Sequence, residues 1–195
     1  MRTVVFAARL TRELSDDERK LLFSCLPPER QVRFRRGKSR AGRDEILCAY
    51  GLLCAALYTV LDWHELPPVA LSDRGKPYFP DFPGVYFSLS HTSGAVMAGV
   101  SPAPIGVDVE RARRVRARLM ERVAGTDSPD AFFRYWVALE AVGKRDGAGV
   151  IGGLHGGGAP LSDAGYSAPD VWPGYYAGIA CSPGHTPGAI RLYTV

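Results

Sequence analysis

The sequence predicts an α+β fold in which two similar α/β lobes are related by a pseudo-twofold duplication. Each half of the chain combines helical patterns with a few short strands that are bounded by Gly, Pro or Ser. The turn Ser-Pro-Ala-Pro at 101–104 is the best candidate for a boundary between the halves. We therefore expect an N-terminal lobe over 1–104 and a C-terminal lobe over 105–195, with a cleft between them.

The first half should contain one strand, three helices and then two more strands. Ser15 and Glu18 form a capping-box pattern at the start of the first helix, and Pro27-Pro28 opens the second. Apolar residues at helical spacing predict a long third helix. The expected ranges are strands at 3–8, 85–89 and 95–100, helices at 15–24, 29–36 and 44–61, and a turn at 72–77.

The second half should begin with a strand at 105–109, followed by an Arg-rich helix. Ser128 and Pro129 are a strong start for a further helix, which should run to about Arg145. The Gly-rich segment 147–164 shows little apolar periodicity, so we expect a mobile loop there. Two strands, near 176–181 and 189–194, should end the fold.

The composition is typical of a globular protein, and we expect no targeting segment. Charged residues interrupt the first 14 positions, and the longest apolar stretch, 46–61, is too short and too interrupted for a membrane-spanning helix. We expect a cytoplasmic protein with no membrane partner. The four cysteines form no C-x-x-C pair, so we expect reduced packing residues.

Basic residues are concentrated in two segments, although the net charge is only +4. Such clusters indicate a phosphorylated ligand or an acidic partner, and a solvated basic face is the simpler alternative. Nucleic acid also fits the charge, but no binding motif supports it, so we expect no nucleic-acid partner. The clusters are Arg30, Arg33, Arg35, Arg36, Lys38, Arg40 and Arg43, and Arg111, Arg113, Arg114, Arg116 and Arg118.

Asp108 and Glu110 are candidate metal ligands, and they are considered together with Glu140, thirty positions later. Two carboxylates at a strand end are poor material for a core and good ligands for a hard cation such as Mg²⁺. We expect the strand to end at Val109, on the reasoning that alternation separates Asp108 from Glu110 unless Glu110 lies past the end. A solvated strand end is the alternative.

Glu140 and Lys144 lie four residues apart on the predicted last helix. This spacing places both on one edge of the helix and predicts a charged pair that faces a cleft. The alternative is an ordinary surface ion pair, which contributes only tenths of a kcal/mol.

Several short motifs follow one another in a specific order. The set resembles the 4′-phosphopantetheinyl transferases, in particular the monomeric, two-lobed type that activates nonribosomal peptide and polyketide synthetases. The likeness covers nearly the whole chain. The motifs are Gly75-Lys76-Pro77, Phe87-Ser88-Leu89-Ser90-His91, Ile105-Gly106-Val107-Asp108-Val109-Glu110, Trp136-Val137-Ala138-Leu139-Glu140-Ala141-Val142-Gly143-Lys144 and Pro173-Gly174-Tyr175-Tyr176-Ala177.

The resemblance implies Mg²⁺-dependent transfer of 4′-phosphopantetheine from coenzyme A to a serine of an acyl or peptidyl carrier protein, which releases 3′,5′-ADP. Asp108, Glu110 and Glu140 match the family's metal ligands. Glu140, or a water on the metal, would take the proton of the carrier serine. Lys144 would steady the pyrophosphate.

The resemblance also implies where coenzyme A and the carrier bind. Ser90 and His91 match the family's pair at the 3′-phosphate, and Lys76 with Pro77 matches the turn near the adenine and ribose. Arg30 and Arg33 fall where relatives place basic phosphate contacts. These sites divide between the lobes, with coenzyme A contacts in the first and the metal site in the second. The basic stretch 111–118 would dock the acidic, helical carrier, and we expect a monomer.

Three departures from the family pattern stand out. Leu139 occupies a position that is usually lysine, and Arg145 is the candidate to compensate for it. The segment 111–135 is shorter than usual, and Cys54 replaces a common arginine. Two alternatives to the enzyme therefore stay open: a coenzyme A or carrier-binding relative without turnover, and a basic interaction module.

Overall fold

The computed structural model describes residues 1–34, 39–148 and 160–195, with Arg33 described by its backbone alone. Its helices are α1 (Asp16–Phe23), α2 (Pro28–Phe34), α3 (Arg40–Leu61), α4 (Ala117–Ala124) and α5 (Pro129–Asp146). Its strands are β1 (Val4–Arg9), β2 (Ala70–Leu71), β3 (Pro77–Tyr78), β4 (Tyr86–Thr92), β5 (Ala95–Ser101), β6 (Ile105–Arg111), β7 (Tyr166–Ser167), β8 (Tyr175–Cys181) and β9 (Arg191–Thr194). This mixture of helices and sheets agrees with the predicted α+β class, while the duplication and the boundary at 104 stay predictions.

Serine side chains cap α1, α3 and α5, and the sequence indicated the caps of α1 and α5. Ser15 makes the full capping box with Glu18 at the start of α1. Ser128 accepts a hydrogen bond from the amide of Ala131 and so caps α5, with Pro129 at the first helical position. Ser39 caps α3, which therefore begins four residues earlier than predicted. Most of the Gly-rich segment, 149–159, lies outside the described residues.

Three sheets organise the strands. The largest has the order β4-β5-β1-β9, and β6-β8-β7 and β2-β3 form the other two. β1 pairs antiparallel with β5, whereas β9, near the end of the chain, pairs parallel with β1. The end of the second half therefore completes the sheet of the first half.

The two larger sheets stack between two helices, so that the order of layers is α3, first sheet, second sheet, α5. Alternate residues of the central strand β1 serve different cores: Phe6 and Ala8 pack toward α3, whereas Val5 and Ala7 pack toward β6 and β8. Both faces of β1 are thus buried, which explains its continuous apolar run.

The layer of α5 depends on two glycines. A Cβ on Gly106 would lie 1.9 Å from the carbonyl oxygen of Ala141, and one on Gly178 would lie 2.6 Å from that of Val137. Both contacted atoms belong to the backbone of α5, so they cannot move away as the end of a flexible side chain could. The absence of side chains at Gly106 and Gly178 lets α5 lie directly on β6 and β8, and this places Glu140 and Lys144 next to the strand.

α3 is long and apolar enough to cross a membrane by length and composition alone. The sequence expectation concerned only the apolar stretch 46–61, and the helix begins six residues earlier, at Arg40. The helix supplies much of the first core, including Leu47, Leu53 and Leu57, and its buried positions follow a helical stripe. Within this structure α3 is a core helix.

Candidate active site

β6 positions two of the predicted metal ligands and corrects one expectation about them. The strand continues through Glu110 to Arg111 and does not end at Val109. Asp108 and Glu110 are two residues apart, and residues two apart in a strand point to the same face, so the expectation that alternation separates them was wrong. Gly106 shares this face, which is the one that α5 covers.

Asp108 lies at the centre of the site and is only 4% exposed. Its Oδ1 atom accepts hydrogen bonds from the Ser90 hydroxyl and from Lys144 Nζ, both at 2.7 Å. Lys144 Nζ also donates to the carbonyl of Val107 at 3.2 Å. Lys144 therefore pairs with Asp108, and no ion pair joins it to Glu140 among the described residues, contrary to the sequence expectation.

Glu140 stands half-buried next to this pair. Its burial and the nearby Asp108 carboxylate raise the pKa of Glu140 to about 7, with a smaller contribution from Glu110 and an opposing one from Lys144. A carboxyl with this pKa can hold or release a proton near neutral pH. That property suits a general base.

Asp108, Glu110 and Glu140 form a carboxylate cluster, and Glu110 lies at its outer end. Its Oε2 atom accepts from the Thr92 hydroxyl at 3.3 Å and from the Arg113 guanidinium at 2.5 Å. Arg113 also lies over the ring of Phe133, 5.5 Å from its centroid. One arginine of the second basic cluster is thus occupied with a site carboxylate.

The donor set of the cluster fits a hard cation, although the site is not preassembled. In the part of the chain that the structure describes, no three His, Cys, Asp or Glu side chains are already gathered as a metal site. However, Asp108 Oδ2 is buried and has no hydrogen-bond partner there. Buried carboxylates crowded near one lysine favour a bound cation, because the like charges otherwise repel.

A cavity of about 550 Å³ adjoins Lys144. Five of the residues predicted to bind coenzyme A line it, and Tyr50, Phe87 and Leu89 supply apolar wall. A cavity with apolar walls and a few convergent cations suits a phosphorylated organic ligand. The five predicted residues are Arg30, Lys76, Pro77, His91 and Lys144.

Lys76 lines the cavity and also joins the two halves of the chain. Its Nζ atom donates to the carbonyl of Arg145 at 2.7 Å, at the C-terminal end of α5. This position favours a cation because the helix dipole and unpaired carbonyls are negative there. Burial lowers the pKa of Lys76.

Ser90 and His91 point to opposite sides of β4, as neighbours in a strand must. The Ser90 hydroxyl is directed at Asp108 and at the amide of Val109, which donates to it at 3.3 Å. His91 lines the cavity, and its Nδ1 atom lies 3.3 Å from Glu45 Oε2. The structure therefore does not bring this predicted pair to one ligand.

Arg145 and Arg33 were the two arginines expected to supply further positive charge near the phosphates of coenzyme A. Arg145 does not compensate for Leu139, because its guanidinium binds Asp163 and Asp146. Leu139 itself is buried and only 2% exposed. The side chain of Arg33 lies outside the described residues, so its predicted contact is still a prediction.

Sequence reasoning missed two polar residues beside the site. Glu45 supports His91 and also accepts from the amide of Gly94 at 3.1 Å. Tyr166 places a buried hydroxyl near Asp108. Neither carries a local signal, because both are isolated in sequence and approach the site only through packing between distant elements.

Comparison with known proteins gives a consistent result, although no model of a protein family matches the chain. The chain is 22% identical over 160 residues to the 4′-phosphopantetheinyl transferase Sfp of Bacillus subtilis (strain 168), which covers 75% of this chain and 71% of that protein. It is 23% identical to another Bacillus subtilis 4′-phosphopantetheinyl transferase over 205 residues, 97% of this chain and 86% of the relative. A match to 4′-phosphopantetheinyl transferase psf-1 of Bacillus pumilus is 33% identical over 104 residues, 47% of this chain and 45% of the relative.

These relatives support a transferase activity for the chain in general. More particularly, the chain is a relative of the Sfp-type 4′-phosphopantetheinyl transferases, and the resemblance drawn from its motifs is confirmed.

Proposed function

We propose that this protein is a holo-carrier-protein synthase, which transfers 4′-phosphopantetheine from coenzyme A to a serine hydroxyl of an acyl or peptidyl carrier protein and releases 3′,5′-ADP. The observation that supports this most is that Lys144 connects the cavity to the carboxylate cluster. Lys144 lines the 550 Å³ cavity and also binds Asp108 in the carboxylate cluster. A phosphorylated ligand in the cavity would therefore meet the cluster at its inner end.

The basic side chains that line the cavity would hold coenzyme A. Arg30, His91 and Lys76 are spread along its wall, so that separate phosphate groups of one ligand can each meet a donor. Lys144 lies at the junction with Asp108 and would hold the pyrophosphate. The fixed positions of these donors favour a transition state in which negative charge moves onto the leaving phosphate.

Glu140 would act as the general base. Its pKa of about 7 lets the carboxylate accept the proton of the carrier serine when the hydroxyl oxygen attacks the β-phosphorus of coenzyme A. The new bond joins serine oxygen to phosphorus, and the bond to the leaving 3′,5′-ADP oxygen breaks. The proton then resides on a Glu140 carboxylate oxygen.

Asp108, Glu110 and Glu140 would hold Mg²⁺. When bound, the ion supplies Lewis-acid neutralisation of the pyrophosphate charge. Ser90 and Thr92 orient the first two carboxylates through their hydroxyls, independently of the ion.

The second basic cluster would dock the carrier. Four exposed arginines lie at the end of β6 and just after it: Arg111, Arg114, Arg116 and Arg118. Carriers of this type present acidic helical surfaces, and opposite charge accelerates such encounters. Docking there would bring the carrier to the outer end of the carboxylate cluster.

Release of 3′,5′-ADP tests this function. The protein is incubated with coenzyme A, Mg²⁺ and a panel of apo carriers, and the nucleotide products are separated by chromatography. We expect 3′,5′-ADP only when a carrier is present and not after EDTA is added. Coenzyme A that stays intact with every carrier would refute the proposal and favour a binding protein without turnover.

A further inference from the structure

Two buried polar atoms face the carboxylate cluster without a partner among the described residues. They are the hydroxyl oxygen of Tyr166 and Oδ2 of Asp108. A buried donor or acceptor without a hydrogen bond is costly, so such atoms rarely occur in pairs without a reason. One is a donor and the other an acceptor.

The register of the second sheet explains why these atoms face the same space. Asp108 lies opposite Gly178 on β8, and Tyr166 lies opposite Ala180 two residues further along the same strand. Residues opposite each other, and residues two apart, share one face of a sheet. The side chains of Tyr166 and Asp108 are therefore both on the face that α5 covers.

The ring of Tyr166 occupies space that is free because Gly178 has no side chain. A Cβ at Gly178 would lie 3.1 Å from Cε2 of Tyr166, so the ring edge crosses the middle strand at this glycine. Neighbouring strands are about 5 Å apart, so a ring that crosses one strand carries its hydroxyl toward the next. The next strand is β6, and the residue opposite Gly178 is Asp108.

The hydroxyl is in the form that donates a hydrogen bond. A tyrosine is protonated at neutral pH, since its ordinary pKa is about 10, and its hydroxyl then has one proton to donate. A carboxylate oxygen has two lone pairs and can accept from a donor while it coordinates a cation. Donors of this kind fix the orientation of metal-binding carboxylates.

We propose that Tyr166 is a positioning residue for the cation site: its hydroxyl, which makes no hydrogen bond among the described residues, donates to Oδ2 of Asp108 when a divalent cation binds, and it then holds that carboxylate in the orientation that the cation needs. Ser90 and Lys144 hold the other oxygen. With the cation bound, both oxygens of Asp108 would be held. This inference rests on the metal site of the proposed function, and it adds a residue that the sequence motifs do not contain.

Tyr166→Phe tests the role because it removes one oxygen and keeps the ring over Gly178. Binding of Mn²⁺, with and without coenzyme A, is measured by electron paramagnetic resonance of the free ion. We expect the dissociation constant for Mn²⁺ to rise roughly 10-fold or more, the usual effect of losing such a supporting hydrogen bond. Tyr58→Phe is the matched control, since Tyr58 is exposed on α3 far along the chain from the site, and it should not change Mn²⁺ binding.

A second pair of variants separates positioning from packing. In an Asp108→Asn background, Tyr166→Phe should cause no further loss of Mn²⁺ binding, because the acceptor that it serves has changed. Equal Mn²⁺ affinity of wild type and Tyr166→Phe would overturn the inference, and so would a wild type that binds no Mn²⁺. A wild type that binds Mn²⁺ but transfers nothing would refute the proposed function and leave the role of Tyr166 standing.

A measurement on the wild type covers the case in which Tyr166→Phe does not fold. Tyrosine labelled with ¹³C at the hydroxyl-bearing ring carbon reports on each phenol by NMR. Addition of Mg²⁺ should shift the Tyr166 signal and leave that of Tyr58 in place. An unshifted Tyr166 signal at saturating Mg²⁺ would contradict the proposal.

Discussion

Lys144 Nζ and Asp108 Oδ1 lie 2.7 Å apart, although the two residues are 36 positions apart in sequence. The lysine side chain is 29% exposed and the aspartate side chain 5%. This pair connects the cavity to the carboxylate cluster. It also fixes α5 to β6 at the point where the proposed chemistry takes place.

Asp108→Asn should abolish most transfer, and it should also lower the stability of the fold, because Lys144 loses its charged partner. The amide oxygen can still accept from Ser90, but it lacks the charge that a cation requires, and we expect turnover to fall roughly 10²–10³-fold or more. Turnover is followed by the mass of the carrier, and thermal unfolding checks the fold. Asp17→Asn, at a side chain that is 95% exposed, is the control and should keep full activity. Retained turnover in Asp108→Asn would remove Asp108 from the metal site.

Glu140→Gln should stabilise the protein while it removes activity. The pKa of Glu140 is about 7 when folded and 4.5 ordinarily, so the folded protein holds this proton more tightly than the unfolded chain. The resulting destabilisation is absent below about pH 4.5 and complete above about pH 7. Urea unfolding at about pH 8 should therefore show a gain of roughly 1–2 kcal/mol, after allowance for the partial exposure of Glu140, and none at about pH 4. A loss of stability at both pH values would show that the carboxylate has a structural partner.

The pH dependence of transfer should report the same carboxyl. The base must be ionised, so kcat/KM at low Mg²⁺ should fall about tenfold per pH unit below about pH 7. Saturating Mg²⁺ should move this fall in kcat/KM to lower pH, because a nearby cation favours the ionised form of the carboxyl group. Initial rates across the pH range at two Mg²⁺ concentrations measure both effects. A profile that is flat below neutral pH would exclude Glu140 as the base.

Leu139→Lys should destabilise the protein. The family pattern alone suggests that restoring the usual lysine would raise activity or leave it unchanged, but Leu139 is 2% exposed, and a lysine there would place a charge in the interior. We expect a loss of about 2–4 kcal/mol in the free energy of unfolding. Leu139→Met, which conserves volume, is the control and should cost less than about 1.5 kcal/mol. An unchanged melting temperature in Leu139→Lys would show that the side chain reaches solvent.

Gly106→Ala should disrupt the contact between α5 and β6. The added Cβ would lie 1.9 Å from the carbonyl oxygen of Ala141, and only a shift of the helix could relieve this clash. We expect a loss of at least about 3 kcal/mol, or no folded protein. Gly84→Ala is the control, because a Cβ there meets nothing within 4 Å. Normal thermal unfolding of Gly106→Ala would contradict the close packing of α5 on β6.

Local signals in the sequence predicted most elements of this fold. The caps at Ser15 and Ser128 and the apolar stripe of α3 depend on residues within one or two turns, so the sequence alone reveals them. The pairing of β9 with β1 could not be predicted in this way. It joins strands at opposite ends of the chain and depends on how the whole protein packs.

The candidate site was predictable in its residues but not in its contacts. The motifs pointed to Asp108, Glu140 and Lys144, and the structure brings them together. The predicted partner of Lys144, Glu140, was wrong. A spacing of four on α5 predicts a neighbour on the same helix, whereas Lys144 binds Asp108 on β6. Tyr166 escaped notice because its approach to Asp108 depends on Gly178, a residue on a third strand.

The intact mass of apo carrier proteins tests the central claim most directly. Peptidyl and acyl carriers are incubated with the protein, coenzyme A and Mg²⁺, and each carrier is paired with a variant whose acceptor serine is alanine. We expect a mass gain of one phosphopantetheine arm on at least one carrier, none on its serine-to-alanine variant and almost none with Asp108→Asn. Carriers that keep their apo mass throughout, in the presence of a folded protein that binds coenzyme A, would contradict this prediction.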